Sequence, residues 1–284
     1  MNPHERSNND SQWACVMHPS GAVLKDAVER CQGFSANLRE PLRRLEVARG
    51  RVVLVIGCGD PLLMASCEPV RPWRRYSSFL VGADHAPLLT EHRGTRLCID
   101  VGLAPWAAGE ILGEGVREIG RQPVPLEAFL GRKAERLAES LAQVCTWQAR
   151  FSLVERFLVQ SRKQTRQPAR GEIRWAWEMI ERTGGRIAVT ALSRRLGWSH
   201  RHFVACFRAH TGICPKAAAR HMRLVRAARM LAREPDMDLG MVASRCEFAD
   251  QSHFTREFHR LAGCAPGAYR RFLEIGATSP LTRP

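Results

Sequence analysis

One stretch near the carboxyl end of the chain occurs twice, and the second copy lies 51 residues after the first. Ser199-His-Arg-His-Phe203-Val-Ala-Cys-Phe207-Arg-Ala-His-Thr-Gly212-Ile-Cys-Pro215 aligns with Asp250-Gln-Ser-His-Phe254-Thr-Arg-Glu-Phe258-His-Arg-Leu-Ala-Gly263-Cys-Ala-Pro266, and Ser193-Arg194 aligns with Ser244-Arg245. Such a repeat demands one supersecondary unit built twice. Ser199 and Asp250 are good helix N-caps, because their side-chain oxygens accept from the free N–H groups of the next turn. Phenylalanines four apart share one helical face. Gly212 and Gly263 suit the left-handed turn that ends a helix, and the proline three residues on is expected to stop its continuation. A shorter apolar period precedes each cap: Val189, Leu192 and Leu196 in one copy, Leu239, Val242 and Ala243 in the other. The connections are Gly197-Trp198-Ser199 and Glu247-Phe248-Ala249-Asp250. Helix, tight turn, capped helix is the helix-turn-helix pattern, whose second helix enters a major groove.

Charge points the same way. Lys and Arg number 43 against 28 acids, a net +15. Up to Thr165 there are 22 basic and 18 acidic residues; beyond it there are 21 and 10, with six of the ten histidines. A surplus of that size in about 120 residues favours a polyanionic partner. The 284 residues suffice for about two domains. The 45% apolar and 25% charged shares are those of ordinary globular chains. No apolar run nears the roughly 20 residues that span a bilayer. Met1–Asp10 is polar and lacks a signal peptide's apolar stretch, so the expectation is a cytoplasmic protein.

The front half changes character once. Val52–Ile56, Ser78–Val81 and Leu97–Val101 are short strand-type runs between turn signals, among them Gly57-Cys-Gly-Asp-Pro61. From Leu126 to Arg162 the period turns helical: Leu126, Phe129, Leu130, Leu137, Leu141 and Val144 mark one apolar face, and Phe151, Val154, Phe157 and Leu158 a second. The polar run Lys163–Gly171, with Pro168, reads as a linker. The expected fold is α+β: a strand-rich domain with a helical pair over 1–162, a linker over 163–171, and an all-α domain with two helix-turn-helix units over 172–275.

Residues 173–273 resemble the DNA-binding domain of the AraC/XylS family of bacterial transcriptional regulators. The likeness rests on Leu192-Ser-Arg-Arg-Leu-Gly-Trp-Ser199, on the two phenylalanine–glycine–proline frames, on Arg223–Leu231, and on Phe248-Ala-Asp-Gln-Ser-His-Phe254 through Tyr269-Arg270. The front half is similar, by pattern and position, to the cupin-like sensing domains that many members carry. The resemblance implies a sequence-specific regulator of transcription, not an enzyme, acting on double-stranded DNA and modulated by a small-molecule effector at its front domain. RNA polymerase and a second copy of the chain are the further partners it implies. No cofactor and no metal is expected.

Carried over residue by residue, the family's geometry has the first recognition helix present His200, Arg201, Val204, Ala205 and Arg208, and the second present Gln251, Ser252, Thr255 and Arg256. Arg201 and Arg256 suit guanine O6/N7, Gln251 suits adenine, and Thr255 a base edge or phosphate. Arg208, near its helix end, suits phosphate. Two positions depart from the family pattern. Glu247 stands where the family usually has glycine, a strain of roughly 1 kcal/mol if the backbone there is left-handed. Ala205 stands where some members carry a base-reading arginine, so the first helix is expected to read thymine methyls or shape, with Arg201 as its main polar probe. The connecting helix Ala217–Arg233 turns Leu224, Ala227, Ala228 and Leu231 inward and Arg223, Arg226, Arg229 and Arg233 mostly outward, a solvated basic face.

His202, Cys206, His210 and Cys214 have helical spacing for a soft metal, but Cys206 sits beside the phenylalanines, and His202 recurs as His253 without a matching cysteine. Core and capping roles are preferred. Ten cysteines without a C-x-x-C pair read as free thiols in a reducing compartment; Cys15, Cys31, Cys58 and Cys67 are the candidates for a thiol-sensing alternative. Gly57-x-Gly59 lacks the third glycine or lysine of a phosphate loop. An enzyme or DNA-repair protein with an appended reader is the other alternative, and no nucleophile–base set supports it.

Overall fold

The computed structural model describes residues 4–8, 11–67, 72–163 and 169–274. The expected linker falls mainly on 164–168, and the last residue of the expected reading domain is 275; these lie outside the described residues. The strands are β1 (His4–Asn8), β2 (Ser11–His18), β3 (Val28–Glu46), β4 (Val52–Gly59), β5 (Leu62–Ser66), β6 (Arg74–Tyr76), β7 (Phe79–Val81), β8 (Leu88–Leu103) and β9 (Val124–Pro125). They form one antiparallel sheet in the order β1-β2-β3-β8-β4-β7-β9, with β5 and β6 branching from β8.

The β3–β8 pair is its spine, running from Val28 opposite Leu103 to Glu46 opposite Leu88. The register jumps between Leu38 and Leu42, where β3 carries extra residues ending in Pro41. A proline has no N–H to give a ladder and settles at such a bulge; across from it, Gly94 takes φ +83°. The irregularity divides the spine. β4 pairs with residues 96–103 of β8, and β5 with 88–91. Side chains alternate across the sheet, so β4 sends Leu54 and Ile56 into a core shared with helices, while Val53 and Val55 point to the opposite face.

Helices cover the first face. The period over Leu126–Arg162 forms α2 to α4: Leu126–Leu130, Arg132–Gln143 and Trp147–Lys163. Leu126, Leu137, Leu141, Phe151, Val154 and Leu158 are buried. Sequence periodicity did not reveal α1, Pro105–Leu112, because all eight of its residues are buried and no polar face betrays it. Its one carboxylate, Glu110, accepts from Arg162 Nε at 3.1 Å and from the Ala169 N–H at 2.7 Å.

Seven further helices follow among the described residues: α5 (Gly171–Arg182), α6 (Val189–Arg195), α7 (His200–Thr211), α8 (Pro215–Arg233), α9 (Leu239–Arg245), α10 (Gln251–Ala262) and α11 (Pro266–Glu274). They share cores with the front half. Trp106, Ala107 and Ile111 of α1 belong to the same buried cluster as Trp177 of α5 and Phe203 and Phe207 of α7. Leu45 and Val47 of the front half join Leu224, Leu231, Phe254, Phe258 and Tyr269. Polar ties run alongside: His221 Nε2 lies 2.9 Å from Asp84, Asp26 accepts from Arg162 and Arg174, and Arg51 joins Glu29 and Glu181.

Phe207→Ala removes a fully buried ring from the shared core and is expected to cost about 3–5 kcal/mol in urea unfolding. Burial holds the His85 imidazole down to about 4, and burial with Arg96 and Arg44 nearby does the same to His92. The unfolded chain takes up protons at both imidazoles below an ordinary value of 6.5, while the folded chain stays neutral down to about 4. Stability is therefore complete above pH 6.5 and falls as the pH drops towards 4. The urea midpoint should follow that slope, and His92→Gln should make it shallower.

Candidate nucleic-acid interface

Each repeated unit is built as its residues require. In the first, α6 ends, Gly197 takes φ +68°, and Ser199 Oγ accepts from the His202 N–H at 3.2 Å to start α7. In the second, α9 is itself capped by Asp238; Asp250 Oδ1 accepts from the His253 N–H at 2.6 Å to start α10. Phe203, Phe207, Phe254 and Phe258 are fully buried, each pair with ring centroids 5.5–5.7 Å apart. Gly212 (φ +76°) and Gly263 (φ +75°) close the helices in the left-handed conformation. Pro215 and Pro266 do not act as stops, as the sequence suggested. They open α8 and α11, at a first-turn position whose N–H has no partner in any helix.

Burial of one side of each recognition helix leaves the other side outward. On α7, His200, Arg201, Ala205 and Arg208 are exposed and Val204 half-buried; on α10, Gln251, Ser252 and Arg256 are exposed and Thr255 half-buried. All nine side chains carried over from the family pattern thus stand on outward or rim positions of two capped helices, joined by the single helix α8.

Glu247 is the one non-glycine residue with positive φ among the described residues, at +57°. It occupies the place of Gly197 in the first unit. Its carbonyl accepts from Arg223, whose guanidinium lies 5.3 Å from the centroid of the Phe248 ring, and its carboxylate is 3.7 Å from Arg186. The outward basic row of α8 is only partly solvated. Arg223 covers Phe248, and Arg226, Arg229 and Arg233 line a cavity against the front domain.

That cavity measures about 980 Å³. Its inner wall is the sheet face opposite the helices, and it gathers Arg30, Gln32, Arg44, His92, Arg96 and Asp100. No local window of the sequence brings these six residues together. The available signal was parity: all six occupy even positions on β3 and β8, interleaved with residues of the helix-covered face. Arg30 is answered by Asp100, with Nη2 2.7 Å from both carboxylate oxygens.

Cys206 Sγ lies 3.5 Å from His202 Nε2, and His210 Nδ1 donates to the Cys206 carbonyl at 2.9 Å. Among the described residues, no three His, Cys, Asp or Glu side chains are grouped to hold a metal ion. Burial pushes the Cys15 and Cys58 thiols up and, with Asp100 and Glu155 nearby, carries Cys31 to about 12. These thiols are protonated at neutral pH and poor nucleophiles.

A family model described as a helix-turn-helix domain matches residues 192–271, which span both capped units. Those residues are an AraC-type helix-turn-helix domain. Outside the AraC-type domain the likeness continues into the front half. The HTH-type transcriptional regulator GlxA of Rhizobium meliloti is 30% identical over 200 residues, 68% of this chain and 58% of that protein. The RCS-specific HTH-type transcriptional activator RclR of Escherichia coli is 33% identical over 93 residues, 33% of this chain and 32% of its own length. The chain thus spans somewhat over half of one relative and a third of the other. Among solved structures, the DNA-binding domain of AdpA, a global transcriptional factor crystallised with a target DNA, is 30% identical over 37% of this chain and 91% of that one, with a TM-score of 0.32.

Glu247→Gly relieves the left-handed strain of the AraC-type domain at the expense of a half-exposed ion pair, and is expected to raise stability by about 0.5–1 kcal/mol. Asp250→Ala, which removes the α10 cap, is expected to lower it by about 1 kcal/mol. Thermal unfolding of the two variants checks both signs.

Proposed function

We propose that this chain is a sequence-specific DNA-binding regulator of transcription whose front domain receives a small-molecule effector. The observation that carries the reading is the pair of capped helices, each with its phenylalanine side buried and a polar side outward, joined through α8. In this reading Arg201 and Arg256 contact guanine, Gln251 adenine, and Thr255 a base edge or phosphate. His200, Ser252 and Arg208 hold the backbone, and Val204 and Ala205 meet thymine methyls. Two helices in successive major-groove segments of one DNA face are spaced about 34 Å apart. A different spacing requires a bend in the duplex costing of order 1–6 kcal/mol.

The domain division at 163–171 belongs to the same reading, with residues 1–162 as the sensing part and 172–275 as the reading part. So do RNA polymerase as a partner, dimerisation through the α2–α4 helices, action in the cytoplasm, and the lack of any catalytic step. The names of RclR and of RhaS of Escherichia fergusonii, both called activators, favour activation as the direction of control.

Selection of bound duplexes from a random pool tests the proposal. Two conserved blocks about one helical turn apart are expected. Arg256→Ala should cost about 1–3 kcal/mol and relax one base position, and affinity should fall steeply with added salt as phosphate counterions return. Equal retention of selected and scrambled duplexes at physiological salt would reduce the protein to a nonspecific DNA binder.

A further inference from the structure

The cavity under the front sheet carries two poles of different chemistry. At one, Arg30 is neutralised by Asp100. At the other, the charges have no such answer. Arg96 is only 3% exposed, yet its guanidinium donates to two backbone carbonyls, those of Asp60 and Ser77, at 3.0–3.1 Å. Among the described residues, no carboxylate lies within ion-pair distance of Arg96 or of Arg44. The Arg44 guanidinium lies 5.3 Å from the centroid of the Phe34 ring, and its buried Nε has no hydrogen-bond partner. His92 is 5% exposed, and neither of its ring nitrogens has a partner. Guanidinium and imidazole N–H groups that no protein acceptor engages are donors a ligand can use.

The three groups share one face of the sheet. Arg44 stands opposite Thr90 and Leu42 opposite His92, two rungs apart on the spine, and Arg96 lies on β8 beyond the Gly94 bend. Burial and, after it, Arg96 and Arg44 oppose a proton on His92, so the ring is a neutral donor flanked by two positive charges. Beside this pole, Val55, Leu62, Met64 and Phe79 supply an apolar wall. A cavity of about 980 Å³ is far larger than an inorganic ion and falls in the range of small-molecule sites.

We propose that this cavity binds an amphiphilic carboxylate, its head held by Arg44, His92 and Arg96 and its apolar body laid along Val55, Leu62, Met64 and Phe79. The assignment rests on the effector reading above and gives that effector a chemical class. An arginine fork matches the two oxygens of a carboxylate, and the neutral imidazole supplies a third donor without adding charge. Because Arg226, Arg229 and Arg233 of α8 line the same cavity, a ligand seated there also touches the helix that joins the two recognition units.

The test uses the full chain with octanoate and its neutral counterpart octanamide, titrated by calorimetry, and the duplex selection is run on the same preparation. Octanoate is expected to bind at least about tenfold more tightly than octanamide, the ratio set by charged hydrogen bonds in a buried site. Arg44→Gln and His92→Gln should each cut that preference to within about threefold, because the charged head loses more than the neutral amide when a donor is removed; Arg44→Lys should restore part of it. Thermal unfolding of each variant verifies that it is folded. Equal affinity for acid and amide in the unaltered protein would overturn the carboxylate assignment while leaving an effector site in place. A preference that survives both Gln variants would overturn the assignment to these residues. A protein that selects DNA but binds neither probe at millimolar concentration would overturn the proposal without touching the DNA-binding reading.

Discussion

Two phenylalanines spaced four apart, buried on one side of each recognition helix, set the roll of that helix about its own axis. Every other feature of the reading surface depends on that burial. The N-cap hydroxyl or carboxylate determines where the helix starts, and the left-handed glycine determines where it ends. The aromatic pair decides which residues between those points face outward. With Phe203 and Phe207 inside, Arg201, Ala205 and Arg208 stand outside; with Phe254 and Phe258 inside, Gln251, Ser252 and Arg256 do. The rings do not pack alone. Phe207 stacks near Trp177 with centroids 6.1 Å apart, and Phe258 meets Tyr269 at 5.3 Å, so each helix is keyed to the surrounding helices by aromatic contacts.

The same cores reach into the front half of the chain. α1 is buried on all sides between the sheet-covering helices and the first unit, while Leu45 and Val47 extend the core of the second. This is the physical route by which a ligand in the sheet cavity would be felt at the recognition helices. Close-packed interiors transmit displacement because they have few voids to absorb it, and α8 borders both the cavity and the two units. The electrostatics run in parallel. The surplus of positive charge in the back half is spread over three surroundings: outward on α7 and α10, across Phe248 at Arg223, and into the cavity at Arg226, Arg229 and Arg233.

Much of this was legible in the residues themselves. The repeat, the caps, the phenylalanine spacing and the terminating glycines are local patterns, each tied to backbone chemistry within a few residues. They give the two units and their outward faces without reference to the rest of the molecule. Glu247 could be singled out as a strained position for the same reason, and it does adopt φ +57°. The strand runs at Val52–Ile56, Ser78–Val81 and Leu97–Val101 and the helical period after Leu126 were also readable, since alternation and 3.6-residue spacing are written in hydrophobicity. α1 was not, because a helix buried on every side has no period to read. Nor was the role of the two prolines: Pro after glycine ends one helix and starts the next with equal chemical logic, and only the position of the following turn decides between them.

What the sequence by itself determined is therefore the local grammar: two capped helix-turn-helix units, a strand-rich front, and the side chains each recognition helix turns outward. The tertiary structure alone decided where the arginines of α8 point and which polar residues of the front sheet meet. Arg44, His92 and Arg96 are separated by up to 52 positions in the chain. They come together because the register of β3 on β8 places them on one face, and that face lines the cavity. Register is a relation between distant segments, set by which pairing buries the most apolar surface, and no window of sequence contains it.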